Sequence, residues 1–224
     1  MITQEHTREV QREEQELSLE NAHILTLSAS SIYSEEEERV LGPWQQIRQV
    51  LFSPIALVLS RLGIRADALS FTSVALSIGF CLFAPFHFTV AFWLLTTSFI
   101  IDGLDGVVAR QTRSNSTKGS FTDTCCDLAA LAFSVAGMAW IGAIHPALAV
   151  LYVYGYTVLV LFLVLHRLLR VSSHWIIRPG RTLFYVCIGL NFFFHIDLLN
   201  YLLLVYLLTL PLVGMSFWRL RKAL

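Results

Sequence analysis

The sequence predicts an all-α integral membrane protein: six transmembrane helices preceded by an interfacial amphipathic helix, with both termini cytoplasmic. Three observations carry that expectation. First, 55% of the 224 residues are hydrophobic and only 14% are charged, against ~45–50% and ~25% in ordinary soluble domains. A single soluble domain of this length would struggle to hide so much apolar surface, and a disordered chain is excluded by the same composition. Second, apolar stretches of membrane-crossing length recur from residue 66 onward. Third, Lys and Arg fall in every second connection between those stretches.

The net charge of zero, 16 basic against 16 acidic residues, conceals a strong asymmetry. All ten Glu lie at or before Glu38, whereas from Arg39 onward there are 14 Lys and Arg and only six Asp, which leaves that part at +8. Residues 1–42 therefore form an acidic cytoplasmic tail without a sustained apolar stripe, a solvated extension rather than a packed element. The N-terminus lacks the basic-then-apolar order of a cleaved signal peptide, so insertion is expected to be directed by the membrane helices themselves. The four cysteines (Cys81, Cys125, Cys126, Cys187) show neither a disulfide framework nor zinc spacing.

Residues 43–65 carry Trp44, Ile47 and Leu51 at helical spacing beside Gln45, Gln46, Arg48 and Gln49. That alternation suits a helix lying in the membrane interface and continuing past Pro54 toward Arg61. Residues 66–224 form the membrane body. A crossing needs about 20 apolar residues, since a rise of 1.5 Å per residue must cover ~30 Å of hydrocarbon. Six candidates satisfy or approach this: about 66–84, 88–110, 119–144, 146–169, 180–195 and 197–218. The fifth is short, and the loop charges argue for it. Arg61 and Arg65 precede span one, Arg110, Arg113 and Lys118 follow span two, Arg167, Arg170, Arg178 and Arg181 separate spans four and five, and Arg219, Arg221 and Lys222 follow span six. The opposite connections, around His87, His145 and His195, contain no Lys or Arg. With six spans every one of these basic residues is cytoplasmic; dropping the fifth would put the last cluster outside.

Chemistry concentrates in IDGLDGVVARQTRSNSTKGSFTDTCCD, residues 101–127, where four of the six Asp lie. The spacing is Asp102-x2-Asp105-Gly106-x2-Ala109-Arg110-x8-Gly119-x3-Asp123-x3-Asp127. Asp102 and Asp105 share a helix face at the end of span two, Asp123 and Asp127 one at the start of span three, and Gly106, Ala109 and Gly119 continue these lines with almost no side chain. Two antiparallel helices joined by a short polar loop can bring all four carboxylates together. One like-charge pair at 4 Å costs on the order of 4 kcal/mol at an effective dielectric of 20, so the group needs protons or cations. Carboxylates without Cys or His ligands form a hard oxygen site, suited to Mg²⁺, Mn²⁺ or Ca²⁺ rather than zinc. Arg110 can reach a phosphate. The residues point to metal-assisted chemistry on a phosphate ester at the cytoplasmic face.

This string resembles the signature of the CDP-alcohol phosphotransferase family at all eight defining positions. At average residue frequencies a random window would do so with a probability of roughly 10⁻¹⁰. The interfacial helix and six spans resemble the family as well; the acidic tail does not. The resemblance implies two divalent cations, Mg²⁺ or Mn²⁺, held by Asp102, Asp105 and Asp123, with Asp127 completing the second ion's shell and acting as general base toward the acceptor hydroxyl. It implies close approach of a cytidine nucleotide at Gly106 and Ala109, close packing at Gly119, diphosphate binding by Arg110, and a nucleotide contact at Ser116. Asp67-Ala68-Leu69-Ser70 resembles the family's Asn-x-x-Thr segment near the donor, with Asp67 in place of Asn; as a bare residue Asp67 also reads as a helix N-cap. Gly180-Arg181-Thr182 resembles a Gly-Lys/Arg stretch by the acceptor pocket. Arg167, Arg170, Arg178 and Arg181 thus become candidates for an anionic acceptor such as glycerol 3-phosphate, with orientation and lipid headgroup contact as the equal alternative.

The function implied is transfer of a substituted phosphate, phosphatidyl from CDP-diacylglycerol, to a small polar alcohol with release of CMP. The partners are a CDP-linked lipid donor, a small alcohol acceptor, the lipid bilayer and, by family resemblance, a second copy of the chain; no nucleic acid is expected. The address implied is a bacterial cytoplasmic membrane with the active site facing the cytoplasm. Two alternatives stay open. One is a CDP-choline- or CDP-ethanolamine-type enzyme acting on diacylglycerol, which Asp123-Thr-Cys-Cys-Asp127 resembles. The other is a divalent-cation transporter, against which stands the position of the acids at a membrane edge rather than its midplane.

Overall fold

The computed structural model describes residues 50–112, 117–168, 180–208 and 210–223. Among these residues the regular structure is helical: α1 (Val50–Arg61), α2 (Ala66–Phe83), α3 (Phe88–Gln111), α4 (Thr117–Trp140), α5 (Pro146–Leu168), α6 (Gly180–Phe194), α7 (Leu199–Leu207) and α8 (Leu210–Ala223). The acidic tail and residues 43–49 of the expected interfacial helix lie outside the described residues.

Four helices, α2 to α5, are long and apolar enough to cross a membrane. The fifth expected span is a helix of 15 residues. The sixth, expected as one helix over about 197–218, is divided: α7 ends at Leu207 and α8 begins at Leu210. Pro211 supplies the reason. Its nitrogen carries no hydrogen, and its ring would collide with the carbonyl of Leu207 if the helix ran through uninterrupted. Among the described residues, four of the six expected spans are thus helices of crossing length, and the last two positions hold shorter helices.

Helix α2 packs along both α3 and α4, and α5 packs on α7 and α8. One apolar core joins the two groups through Phe80, Phe92, Leu131, Met138, Tyr152, Phe184 and Leu203. Phe92 of α3 lies flat on Phe192 of α6, with ring centroids 4.0 Å apart and planes 5° from parallel. Outward-facing side chains such as Trp93, Val150, Leu161 and Leu204 are large, apolar and exposed. In water that surface would drive association; in a bilayer it is what lipid chains require.

Lipid removes most of the hydrophobic drive between helices, so close approach and hydrogen bonds must hold them together. Both devices occur in the α2 unit. A Cβ on Gly137 of α4 would stand 2.7 Å from the Phe80 ring and 3.1 Å from the Cα of Cys81. Only glycine allows that approach. Across the α2–α3 seam, Ser98 donates to the carbonyl of Ser73 at 2.7 Å. That uses the single Ser98 proton, so Ser77 is the donor in its 2.9 Å contact with Ser98.

The turn from α1 into α2 is closed by Gly63 at φ +74°. Its N–H bonds to Ser60 O at 3.1 Å and Ile64 N–H to Leu59 O at 3.1 Å, the paired arrangement of a Schellman cap. The reversal lays Ala56 of α1, with Phe52 and Leu59, against Leu104, Val107 and Val108 of α3. Gln111, at the end of α3, donates to Ser53 O at 3.2 Å and Ser53 Oγ at 3.0 Å. Helix α1 is thus fastened across the end of α3 that bears the acids, while Val50, Leu51, Ile55, Val58 and Leu62 remain exposed. At the opposite end Asn200 of α7 accepts from His145 N–H at 2.9 Å and donates to Ala143 O at 3.1 Å, which ties the α4–α5 connection to α7.

Gly137→Ala should destabilise the protein by about 1–3 kcal/mol through overpacking against Phe80 and the α2 backbone, despite alanine's better helix propensity. Thermal unfolding in detergent should show a lower midpoint; an unchanged or raised midpoint would mean the seam yields freely.

Candidate active site

The acids come from α3 and α4, which run antiparallel on either side of the connection around residues 112–117. Asp102, Asp123 and Asp127 each direct one carboxylate oxygen to a common point, all three within 4.8 Å of one another, and all are half-buried. Oδ1 of Asp102 is fully buried. Asp123 and Asp127 lie one turn apart on α4, so a single stripe presents both. Asp102 reaches them from the facing helix.

Asp105 has a different position. It is 5% exposed and accepts a 2.7 Å hydrogen bond at Oδ2 from Ser70 of α2. The three-residue step from Asp102 turns it about 60° around the helix axis, and α3 packs on α2 there. It remains within electrostatic range of Asp123 and Asp102. The structure therefore assembles three carboxylates directly and sets the fourth beside them, anchored to the neighbouring helix.

The small residues stay close by. Gly106, Ala109 and Gly119 are half-buried, and Arg110 is exposed in the last turn of α3. Asp67 is exposed in the first turn of α2; the N-cap position belongs to Arg65, which makes no side-chain cap bond. The capping role considered for Asp67 is thus replaced by a favourable position near the helix dipole's positive end. Ser116 lies outside the described residues, as do Arg170 and Arg178. Arg167 falls within α5 and Arg181 within α6, with side chains outside the described residues. Cys125 is exposed and Cys126 buried, and neither belongs to the carboxylate group.

Two features escaped the reading of the sequence. The first is the run of buried serines Ser70, Ser73, Ser77 and Ser98 leading away from Asp105. Hydroxyls at positions 70, 73 and 77 of an apolar helix share a face, and that spacing is a legible signal of a helix seam. The second is His166, 2% exposed, whose Nε2 lies 2.7 Å from Ser216 Oγ and so links α5 to α8. Nothing in the local sequence announces that pair, because the residues are fifty positions apart.

Three carboxylates alone at this range repel strongly. A pair of unit charges 4.8 Å apart is worth roughly 3.5 kcal/mol at an effective dielectric of 20. The donor set is all oxygen and without thiolate or imidazole, so a hard divalent cation fits it and a soft one does not. Fold and site together define a helical membrane protein with a cation-competent acidic centre at one end of two neighbouring spans. Comparison with protein-family models matches residues 63–215 to the CDP-alcohol phosphatidyltransferase family, and the chain belongs to it. The match begins at the α1–α2 turn and runs into α8, leaving α1 and the acidic tail outside. Curated proteins give no match. Membership implies transfer of a phospholipid head group from a CDP-alcohol, and the family is generally metal-dependent.

Asp123→Asn should raise the unfolding midpoint in excess EDTA by relieving repulsion, while abolishing the rise that Mg²⁺ or Mn²⁺ gives the wild type through binding the folded state. A wild type whose midpoint ignores both cations, measured in detergent, would contradict a cation role for the triad.

Proposed function

We propose that this chain transfers the phosphatidyl group of CDP-diacylglycerol to the hydroxyl of a small polar alcohol and releases CMP. The observation that carries the reading is the convergence of Asp102, Asp123 and Asp127 from two spans, within a complete family signature and beside the buried Asp105. In this reading the acids hold two divalent cations, Mg²⁺ or Mn²⁺, which when bound neutralise charge on the donor diphosphate and on departing CMP. Asp102, Asp105 and Asp123 are the principal ligands and Asp127 serves both an ion and the acceptor.

The protein's own residues do the rest. Gly106 and Ala109 admit the cytidine nucleotide where any larger side chain would intrude, and Gly119 keeps α4 close beside it. Arg110, exposed at the mouth of the site, binds the diphosphate by charge-assisted hydrogen bonds. Asp67 and Ser116 complete the donor contacts. The acceptor hydroxyl gives its proton to Asp127 as its oxygen attacks the phosphorus carrying diacylglycerol, and the bond from that phosphorus to the CMP oxygen breaks. Positioning and electrostatics supply most of the acceleration.

The acceptor is a small anionic alcohol such as glycerol 3-phosphate, bound by Arg167, Arg170, Arg178 and Arg181. The membrane topology is six crossings, with α6 as a short fifth span and α7 and α8 together as the sixth, both termini cytoplasmic and the acids facing the cytoplasm. That assignment collects the basic connections on one side. A bacterial cytoplasmic membrane and a homodimer complete the reading.

Purified protein in detergent should release CMP from CDP-diacylglycerol only with Mg²⁺ or Mn²⁺ and an acceptor, screened among glycerol 3-phosphate, serine, inositol, inositol phosphate and choline. Asp127→Asn should cut kcat by roughly 10²–10⁴-fold, as loss of a general base does. Full turnover in that variant, or no CMP with any acceptor, would end the proposal. For the acceptor, Arg178→Ala and Arg181→Ala should each raise the KM for glycerol 3-phosphate by about tenfold, the loss of one charge-assisted contact; unchanged values would reassign these arginines to topology.

A further inference from the structure

We propose that Ser70 is a positioning residue that acts through Asp105. The inference rests on the phosphotransferase reading and deepens it. Ser70 was expected to contact the donor directly, yet its hydroxyl lies 2.7 Å from Asp105 Oδ2. The competing acceptor, the Ala66 carbonyl one turn back on α2, is 3.3 Å away. A hydroxyl has one proton, and the Asp105 carboxyl stands at the shorter distance. Ser70 is 3% exposed and Asp105 5%. The proton of Ser70 is therefore committed inside the protein.

The pair is part of a register. Ser70 meets Asp105, and Ser77 meets Ser98; the two contacts are seven residues apart on each helix, in opposite directions along antiparallel chains. Between them Ser98 bonds to the carbonyl of Ser73, and the Ser73 hydroxyl donates to Ser70 O at 2.9 Å. Sliding α2 by one residue against α3 would break both contacts at once. The seam sets the register that brings Ser70 opposite Asp105 on the α2-facing side of α3, and the Ser70 hydroxyl fixes which way that carboxylate turns. Oδ2 is held toward α2 and the Gly106 backbone also bonds this carboxylate, so the protein itself orients Asp105 beside the centre formed by Asp102, Asp123 and Asp127. Hydrogen bonds that orient a ligating carboxylate typically govern metal affinity by 10–100-fold.

The test is Mn²⁺ titration of the purified, metal-stripped protein, followed by electron paramagnetic resonance, beside steady-state kinetics. Ser70→Ala should weaken Mn²⁺ binding by about tenfold and lower kcat at saturating Mn²⁺, with the donor KM within about twofold. Ser70→Thr, which keeps the hydroxyl, should restore Mn²⁺ affinity to near the wild-type value. Ser70→Cys, nearly isosteric but a weak donor, should behave as Ser70→Ala does and stands in for it if alanine impairs folding. Ser77→Ala removes a bond of the same seam two turns away and should lower the unfolding midpoint while leaving Mn²⁺ affinity within about twofold. The inference is overturned if Ser70→Ala binds Mn²⁺ like the wild type. It is equally overturned if that variant raises the donor KM with Mn²⁺ binding intact, the mark of direct donor contact, or if Ser77→Ala weakens Mn²⁺ as much as Ser70→Ala, the mark of general loosening. Failure of the wild type to release CMP would count against the phosphotransferase reading alone, because Mn²⁺ binding is measured without substrate.

Discussion

Mutual repulsion among carboxylates is the constraint around which this molecule is organised. Asp102, Asp123 and Asp127 stand within 4.8 Å of one another, with Asp105 buried beside them. Left to themselves the helices that carry them would rotate or part to separate the charges. What prevents this is the unit of α2, α3 and α4, whose packing must be stiff enough to hold a costly arrangement until a cation offsets it. Metal affinity at such a site is therefore as much a property of helix packing as of the acids.

The stiffness has to be achieved without the usual drive, because lipid solvates apolar side chains as well as a neighbouring helix does. The chain answers with contact at very short range. Gly137 lets α4 approach the backbone of α2 at Cys81, and serines bond across the α2–α3 seam. Helix α1 adds a clamp from outside, with Ala56 wholly buried and Gln111 bonded to Ser53. Helix α1 is thereby joined to the acid-bearing end of α3, next to Arg110, which neighbours Gln111 in the chain.

The second group, α5 to α8, is built differently. Its core is aromatic, with Tyr152, Tyr156, Phe184 and Tyr206 in mutual contact. The His166–Ser216 bond links α5 to α8, and the Asn200 bonds tie α7 to the connection leading into α5. Large rings gain area and quadrupole contacts but are less exacting about register than a hydroxyl seam.

Much of this was legible along the chain. Four crossing helices follow from apolar length alone, and the acid motif follows from spacing within two helices, because both depend only on neighbours in sequence. The departures have equally physical causes. Pro211 divides the last span by removing one donor and crowding one carbonyl, a local effect that hydropathy averaging conceals. Arg65 rather than Asp67 takes the N-cap position of α2, a matter of one or two residues at a helix end that propensity does not resolve.

What the sequence determined by itself is the class of protein, the family and the acids that converge, since these are written in composition and in a motif whose two halves each fit within one helix. What the tertiary structure alone decided is how those acids divide. Three point to one another and the fourth turns to Ser70, because α2 packs against both α3 and α4 and a three-residue step turns Asp105 away from Asp102 toward α2. Residues 35 positions apart meet only when helices pack, and no periodicity along one chain segment encodes which hydroxyl will stand opposite which carboxylate.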